Sequence, residues 1–181
     1  AARFGVHDAI VGGGWLNLKP GQVTDDTTMA LALGQSILDA GHVDARAAAD
    51  AFVAWMRAKP VDIGNTVRRG LIQFRLTGNP EAAPSEHDAG NGAAMRMLPV
   101  ALATLGQAEA DVRAACRAQA HVTHHNPVSD AATECLALML QDLLHGAGKE
   151  EVLRTRVEPL IAQYPLFEFR QRRRDNPSGY V

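Results

Sequence analysis

The sequence predicts an all-α fold, a single helical domain of about seven helices over residues 1–181. Three observations carry this. Apolar residues recur at helical spacing along most of the chain, period-2 alternation is nowhere sustained, and only 5% of residues are aromatic. With 46% hydrophobic and 21% charged residues, the chain lies well clear of disordered compositions and can bury a real core.

The first helical face is Met29, Leu33 and Ile37, with Leu38 beside it, and Gly41 stops the run. Asp44 caps a second helix with the face Ala48, Phe52, Trp55 and Met56, ended before Pro60. A third, after Asn65, carries Val67, Leu71 and Phe74, and leaves Arg68, Arg69 and Arg75 outside the stripe. Residues 79–90 read as a polar loop containing Pro80, Pro84 and Gly90. A fourth helix is expected near Asn91, carrying Leu98, Ala101, Leu102 and Leu105. Pro99 inside it predicts a kink or a late start. The fifth runs from about Asp111 to Thr123, with Val112, Cys116 and Ala120 inward. Asn126-Pro127 is an N-cap followed by proline at the first helical position. The sixth helix then carries Val128, Ala132, Cys135, Leu136, Met139 and Leu143 to Gly146 or Gly148. A seventh, from about Lys149, carries Val152, Leu153, Leu160 and Ile161, and Pro159 disturbs its end. The only strand candidates are short pieces near Val11 and Phe167.

Several function classes recede. The formal net charge is −2, from 18 basic and 20 acidic residues, which argues against a general nucleic-acid binder. No run approaches ~18 consecutive apolar residues, so no integral membrane segment is expected. The opening residues lack an apolar core and a cleavage pattern, so no signal peptide is expected. Cys116 and Cys135 form no CxxC pair and no disulfide framework; buried thiols in a reducing cytoplasm are expected.

Four stretches offer chemistry. Thr24-Asp25-Asp26-Thr27 stands where the first helix starts. Such residues cap a helix and favour its positive end. A hydroxyl and two carboxylates are also hard oxygen ligands, suited to Mg²⁺ or Mn²⁺ and not to zinc, and the two readings can coexist. In Asp88-Ala89-Gly90-Asn91-Gly92-Ala93-Ala94-Met95-Arg96 the glycines permit close backbone approach, and a helix start behind them would offer N–H groups to a phosphate. A capped loop-to-helix junction explains the same residues. Thr123-His124-His125-Asn126-Pro127 reads first as histidines near a helix C-terminus. Asp62-Ile63-Gly64-Asn65-Thr66 reads first as a turn and cap.

Taken together and in order, Gly12-Gly13-Gly14-Trp15, the Thr24–Thr27 block running into Met29-Ala30-Leu31-Ala32-Leu33, Pro60–Thr66, Asp88–Arg96 and Thr123-His124 resemble the ADP-ribosylglycohydrolase family. The Gly12–Trp15 and Val61–Thr66 stretches resemble its nitrogenase-regulating branch. The resemblance implies an all-helical fold with two Mn²⁺ or Mg²⁺ ions at the base of a cleft. It implies cleavage of the N-glycosidic bond between ADP-ribose and an arginine guanidinium, in that branch on the nitrogenase iron protein. Thr24, Asp25 and Asp26 would be metal ligands, with Asp25 and Asp26 also catalytic in that role. Asp88, Asn91, Gly92, Ala93, Met95 and His124 would line the ADP-ribose site. Asp88 would contact the guanidinium or assist proton transfer.

The family's N-terminal Gly-Asp-Ala-Leu-Gly type segment and its C-terminal Gly-Gly-Asp-x-Asp-Thr block find no match here. The chain therefore reads as the middle part of a longer family domain, with the second metal-ligand cluster outside it. The alternative function is a non-catalytic ADP-ribose-binding or regulatory module with an incomplete metal site. By the same resemblance, partners would be an ADP-ribosylated protein and a nitrogen-regulatory PII protein. The location would be cytoplasmic, with reversible membrane association through partners.

Overall fold

The computed structural model describes residues 8–168. They hold α1 (Asp25–Ala40), α2 (Ala45–Arg57), α3 (Asn65–Thr77), α4 (Leu98–Ala103), α5 (Glu109–Ala120) and α6 (Pro127–Leu144). A seventh helical run follows, made of α7 (Lys149–Val152), a π-helical turn (Leu153–Val157) and α8 (Glu158–Gln163). No helix among the described residues is long and apolar enough to cross a membrane.

The expected strand pieces are absent among the described residues. Gly13 and Leu18 make a single antiparallel bridge, and Phe167 lies in a one-turn 3₁₀ helix, Pro165–Phe167. Two backbone hydrogen bonds, of 2.7 and 2.9 Å, close the Gly13–Leu18 turn. Gly12 is required there. Its φ is +77°, and a Cβ would sit 2.4 Å from the Leu18 carbonyl oxygen.

The core forms around α1 and α2. Met29, Leu33 and Ile37 meet Ala48, Ala49, Phe52 and Trp55, and Val67, Leu71 and Phe74 of α3 join the same cluster. Burying a side chain the size of Phe52 or Leu33 contributes roughly 1.5–3 kcal/mol. Gly41 ends α1 in the left-handed conformation, as its position predicts. Asp44 caps α2 by accepting from the Ala47 N–H, and Asn126 caps α6 by accepting from Val128 and Ser129.

Several expected inward residues face out. Leu38 is 78% exposed. The fourth helix starts late, at Leu98, with Pro99 in its first turn; residues 91–96 are turns. In so short a helix the buried face is Val100 and Ala101, followed by Thr104, and Leu98, Leu102 and Leu105 are exposed. In α6, Leu136 and Leu143 are exposed, and the buried stripe is Ser129, Thr133, Ala137 and Gln141, with Glu134 and Leu138 beside it. Polar groups can occupy that stripe because each is satisfied. The Thr133 hydroxyl donates to the Ser129 carbonyl, and Gln141 Nε2 donates to the Ala101 carbonyl and Thr104 Oγ1, joining α6 to α4. Pro159 disturbs the seventh run by the expected mechanism. It has no N–H to continue the i→i−4 ladder, and just before it the Glu158 N–H reaches back to the Leu153 carbonyl, a π-type bond.

Candidate active site

The N-termini of α1 and α3, the 88–97 segment and the turn between α5 and α6 meet around a cleft of about 310 Å³. Its walls include Asp25, Asn65, Thr66, Gly90, Asn91, Gly92, Met95 and His124. Residues scattered over a hundred positions of sequence thus reach one place. Gly70 lets α3 approach that closely, since a Cβ there would lie 2.9 Å from both Thr123 Cα and the Val122 carbonyl oxygen.

At the start of α1 the paired acids separate. Asp25 is buried in the cleft wall, and Asp26 is exposed. Thr24 holds the N-cap position without capping; its hydroxyl donates to Asp26 Oδ2 at 3.0 Å. Burial, then the charges of Asp62 and Asp26, raise the Asp25 pKa. No cationic side chain among the described residues pairs with Asp25. A buried carboxylate with two acidic neighbours and a hydroxyl on the adjacent residue is a donor set that fits a hard divalent cation.

The Asp88–Met95 segment divides between wall and support. Asn91, Gly92 and Met95 line the cleft. Asp88 is buried outside the lining, where its carboxylate accepts from Arg69 Nη2 and, at 3.4 Å, from the Thr66 hydroxyl. Ala93 is fully buried, and its carbonyl accepts from Gln119 Nε2 at 3.1 Å. No helix begins behind Gly90 and Gly92. The expected helical N-terminus for a phosphate is therefore missing there, because Pro99 delays α4.

His124 forms the opposite wall. Its Nδ1 lies 2.8 Å from the Thr123 hydroxyl, and its ring fills the space beside Gly92. Burial, then the Arg96 charge, push its pKa down to about 4, so the ring is neutral at neutral pH. Behind it lies Arg96, which is completely buried. Arg96 donates to Gln119 Oε1 (2.7 Å), the Gln119 carbonyl (2.8 Å) and Thr123 Oγ1 (2.9 Å), and its guanidinium stands 4.3 Å from the centre of the Phe52 ring. Burial lowers its pKa to about 9, which still leaves it charged at neutral pH.

Sequence reasoning did not assign Asp62, Asn65 or Thr66 to the site, although they stand in a stretch singled out for its resemblance. The polar pair opening α3 was the available signal. Nothing local marks Arg96, Gln119 and Thr123 as one network.

Away from the cleft, the ligand atoms of Glu81, His121 and His125 lie within 4.8 Å of one another, a cluster with metal-ligating chemistry. The two histidine rings stack at 3.8 Å. His121 Nε2 is hydrogen-bonded to Asp130 and His125 Nδ1 donates to the Ala82 carbonyl, so the pair also ties residues 79–90 to α5 and α6. A second cavity, of about 440 Å³, lies between α5, α6 and α8. Its charged lining residues are paired, Glu134 with Arg113 and Arg117, Arg156 with Asp142 and Glu109, and Asp130 with His121.

The ADP-ribosylglycohydrolase family profile matches residues 1–175. The chain is 47% identical over 169 residues to the ADP-ribosyl-[dinitrogen reductase] glycohydrolase of Rhodospirillum rubrum, covering 93% of this chain and 57% of that protein. It is 34% identical over 195 residues to the ADP-ribosylarginine hydrolase Tri1 of Serratia proteamaculans, covering 99% of this chain and 52% of that protein. A solved structure described as an ADP-ribosylglycohydrolase-related protein complex superposes with a TM-score of 0.73 at 37% identity, over 85% of this chain and 50% of that one. The chain spans about half the length of these relatives.

Proposed function

The chain belongs to the ADP-ribosylglycohydrolase family, and we propose that its cleft takes part in hydrolytic removal of ADP-ribose from a modified arginine of a target protein. The observation that carries this reading is the convergence of Asp25, Asn91, Gly92, Met95 and His124 on one cleft. The proposed target is the nitrogenase iron protein, supported by the 47% identity to the Rhodospirillum rubrum relative.

Thr24, Asp25 and Asp26 are the proposed ligands for Mn²⁺ or Mg²⁺, with further oxygens from outside this set. Held there, such ions would supply Lewis-acid chemistry toward the oxygens of the ribose and of an attacking water. The side chains of this chain supply the rest. Asn91 and the backbone at Gly90 and Gly92 bound the ligand on one side, and His124 meets it from the other. Asp88 is the proposed acceptor for the substrate guanidinium. Its carboxylate already binds a guanidinium, that of Arg69, so a substrate arginine would take over the same kind of hydrogen bond.

The test is release of ADP-ribose from ADP-ribosylated iron protein, and from a second ADP-ribosylarginine protein, with saturating Mn²⁺. Release from the iron protein alone supports the narrow target, and release from both supports only the broader activity. Loss of release in an Asp25→Ala/Asp26→Ala variant that still folds supports the ligand assignment. ADP-ribose binding with no release from either substrate would replace this reading with that of a binding module.

A further inference from the structure

The hydrogen bonds around Thr123 determine which nitrogen of His124 carries the proton. Arginine can only donate, so Thr123 Oγ1 accepts from Arg96 Nη2 at 2.9 Å. The same oxygen lies 2.8 Å from His124 Nδ1. Thr123 is 1% exposed, and among the described residues its hydroxyl makes no other hydrogen bond. Its proton therefore goes to Nδ1. A proton already on Nδ1 would strand the hydroxyl hydrogen in the interior.

The ring's other nitrogen is then the protonated one. Among the described residues Nε2 has no hydrogen-bond partner, yet every buried side-chain nitrogen or oxygen there has one. Nε2 is thus not sealed in, and His124 stands in the wall of the cleft.

We propose that Arg96 and Thr123 are positioning residues that hold His124 as the neutral Nε2–H tautomer, so that the cleft presents a fixed, uncharged donor to an oxygen of bound ADP-ribose. The ligand half of this statement rests on the function proposed above; the tautomer half does not. Two further features support it. The low pKa of His124 keeps the ring from becoming a cation above about pH 4. Gln119 accepts from Arg96 twice, through Oε1 and its carbonyl, which fixes the guanidinium that aims the Thr123 lone pair.

The experiment is long-range ¹H–¹⁵N correlation of the histidine rings in the intact protein at neutral pH, with His124 identified by its loss in His124→Gln. The expected result is an unprotonated Nδ1 and a protonated Nε2. In Thr123→Val, which removes the hydroxyl and keeps the shape, the ring should populate both tautomers. ADP-ribose should then bind about fivefold more weakly, the effect of one ordinary hydrogen bond. Thr123→Ser should restore the single tautomer and the affinity, which a purely structural role for the threonine would not require.

A protonated Nδ1, or an imidazolium, in the unsubstituted protein would overturn the proposal, and so would a tautomer unchanged in a folded Thr123→Val variant. If the tautomer is as expected but ADP-ribose does not bind, the proposed ligand fails and the positioning of His124 stands.

Discussion

Gly92 and His124 occupy one space. A Cβ at position 92 would lie 2.5 Å from His124 Cε1 and 2.8 Å from Nε2, closer than any real side chain stands. The Gly92 backbone is not in the left-handed region, so the glycine is needed for room and not for conformation. Even Gly92→Ala should therefore displace the ring, costing roughly 1–3 kcal/mol as overpacking and weakening ADP-ribose binding about tenfold or more. In Gly92→Ala/His124→Ala the stability should largely return and the affinity should not. Chemical denaturation and ligand titration of the two variants separate these effects, and a fully stable Gly92→Ala single variant would contradict the contact.

Asp25 should trade stability for binding. Burial and the neighbouring Asp62 and Asp26 charges oppose its ionisation. Asp25→Asn should raise the melting temperature in the presence of a chelator. In the unsubstituted protein Mn²⁺ should raise it, by the equivalent of about 2.7 kcal/mol at a hundredfold excess over the dissociation constant. The variant should lose that response. An Asp25→Asn protein still stabilised equally by Mn²⁺ would remove this carboxylate from the ligand set.

Arg96 should be among the most sensitive positions for folding. It fills the space between Phe52, Gln119 and Thr123, and no carboxylate among the described residues pairs with it. Arg96→Ala removes the side chain and leaves Gln119 and Thr123 without their donor, so a loss on the order of 3 kcal/mol or more is expected. Urea unfolding measures it. A change below about 1 kcal/mol would show that the network contributes little.

His124 predicts an acid-side loss of stability. Its folded pKa is about 4 against an ordinary value of 6.5. Between those values the unfolded chain binds a proton that the folded chain does not. Stability should fall as pH drops through that window, by up to about 3 kcal/mol. His121 acts in the opposite sense. Burial pushes its pKa down, but the Asp130 hydrogen bond and charge and then Glu81 outweigh this and raise it overall. Its contribution is complete below the ordinary histidine pKa and is lost as pH rises through its folded value. The check is the difference between the unsubstituted protein and His124→Gln, whose stability should depend less on pH from 6.5 to 4. Identical slopes would show that His124 is not buried neutral.

What the sequence determined by itself was local. The left-handed stop at Gly41, the caps at Asp44 and Asn126, the proline at the first position of α6 and the disturbance at Pro159 each depend on neighbours within one turn. So does the face Met29–Leu33–Ile37, which periodicity alone can display. Motif order also sufficed for the family. The tertiary structure decided which face of a mixed helix is buried, because that depends on the partner. The polar side of α6 is inside since Gln141 finds Ala101 and Thr104, whereas Leu136 and Leu143 stay on the exposed side. It also divided the motif residues by direction, Asp25 into the cleft and Asp26 outward, Asn91 to the wall, and Asp88 back onto Arg69. The burial of Arg96, 23 residues in sequence from Gln119 and 27 from Thr123, has no local signature. A buried cation is tolerated only where distant acceptors are brought to it, and that is decided when the helices pack.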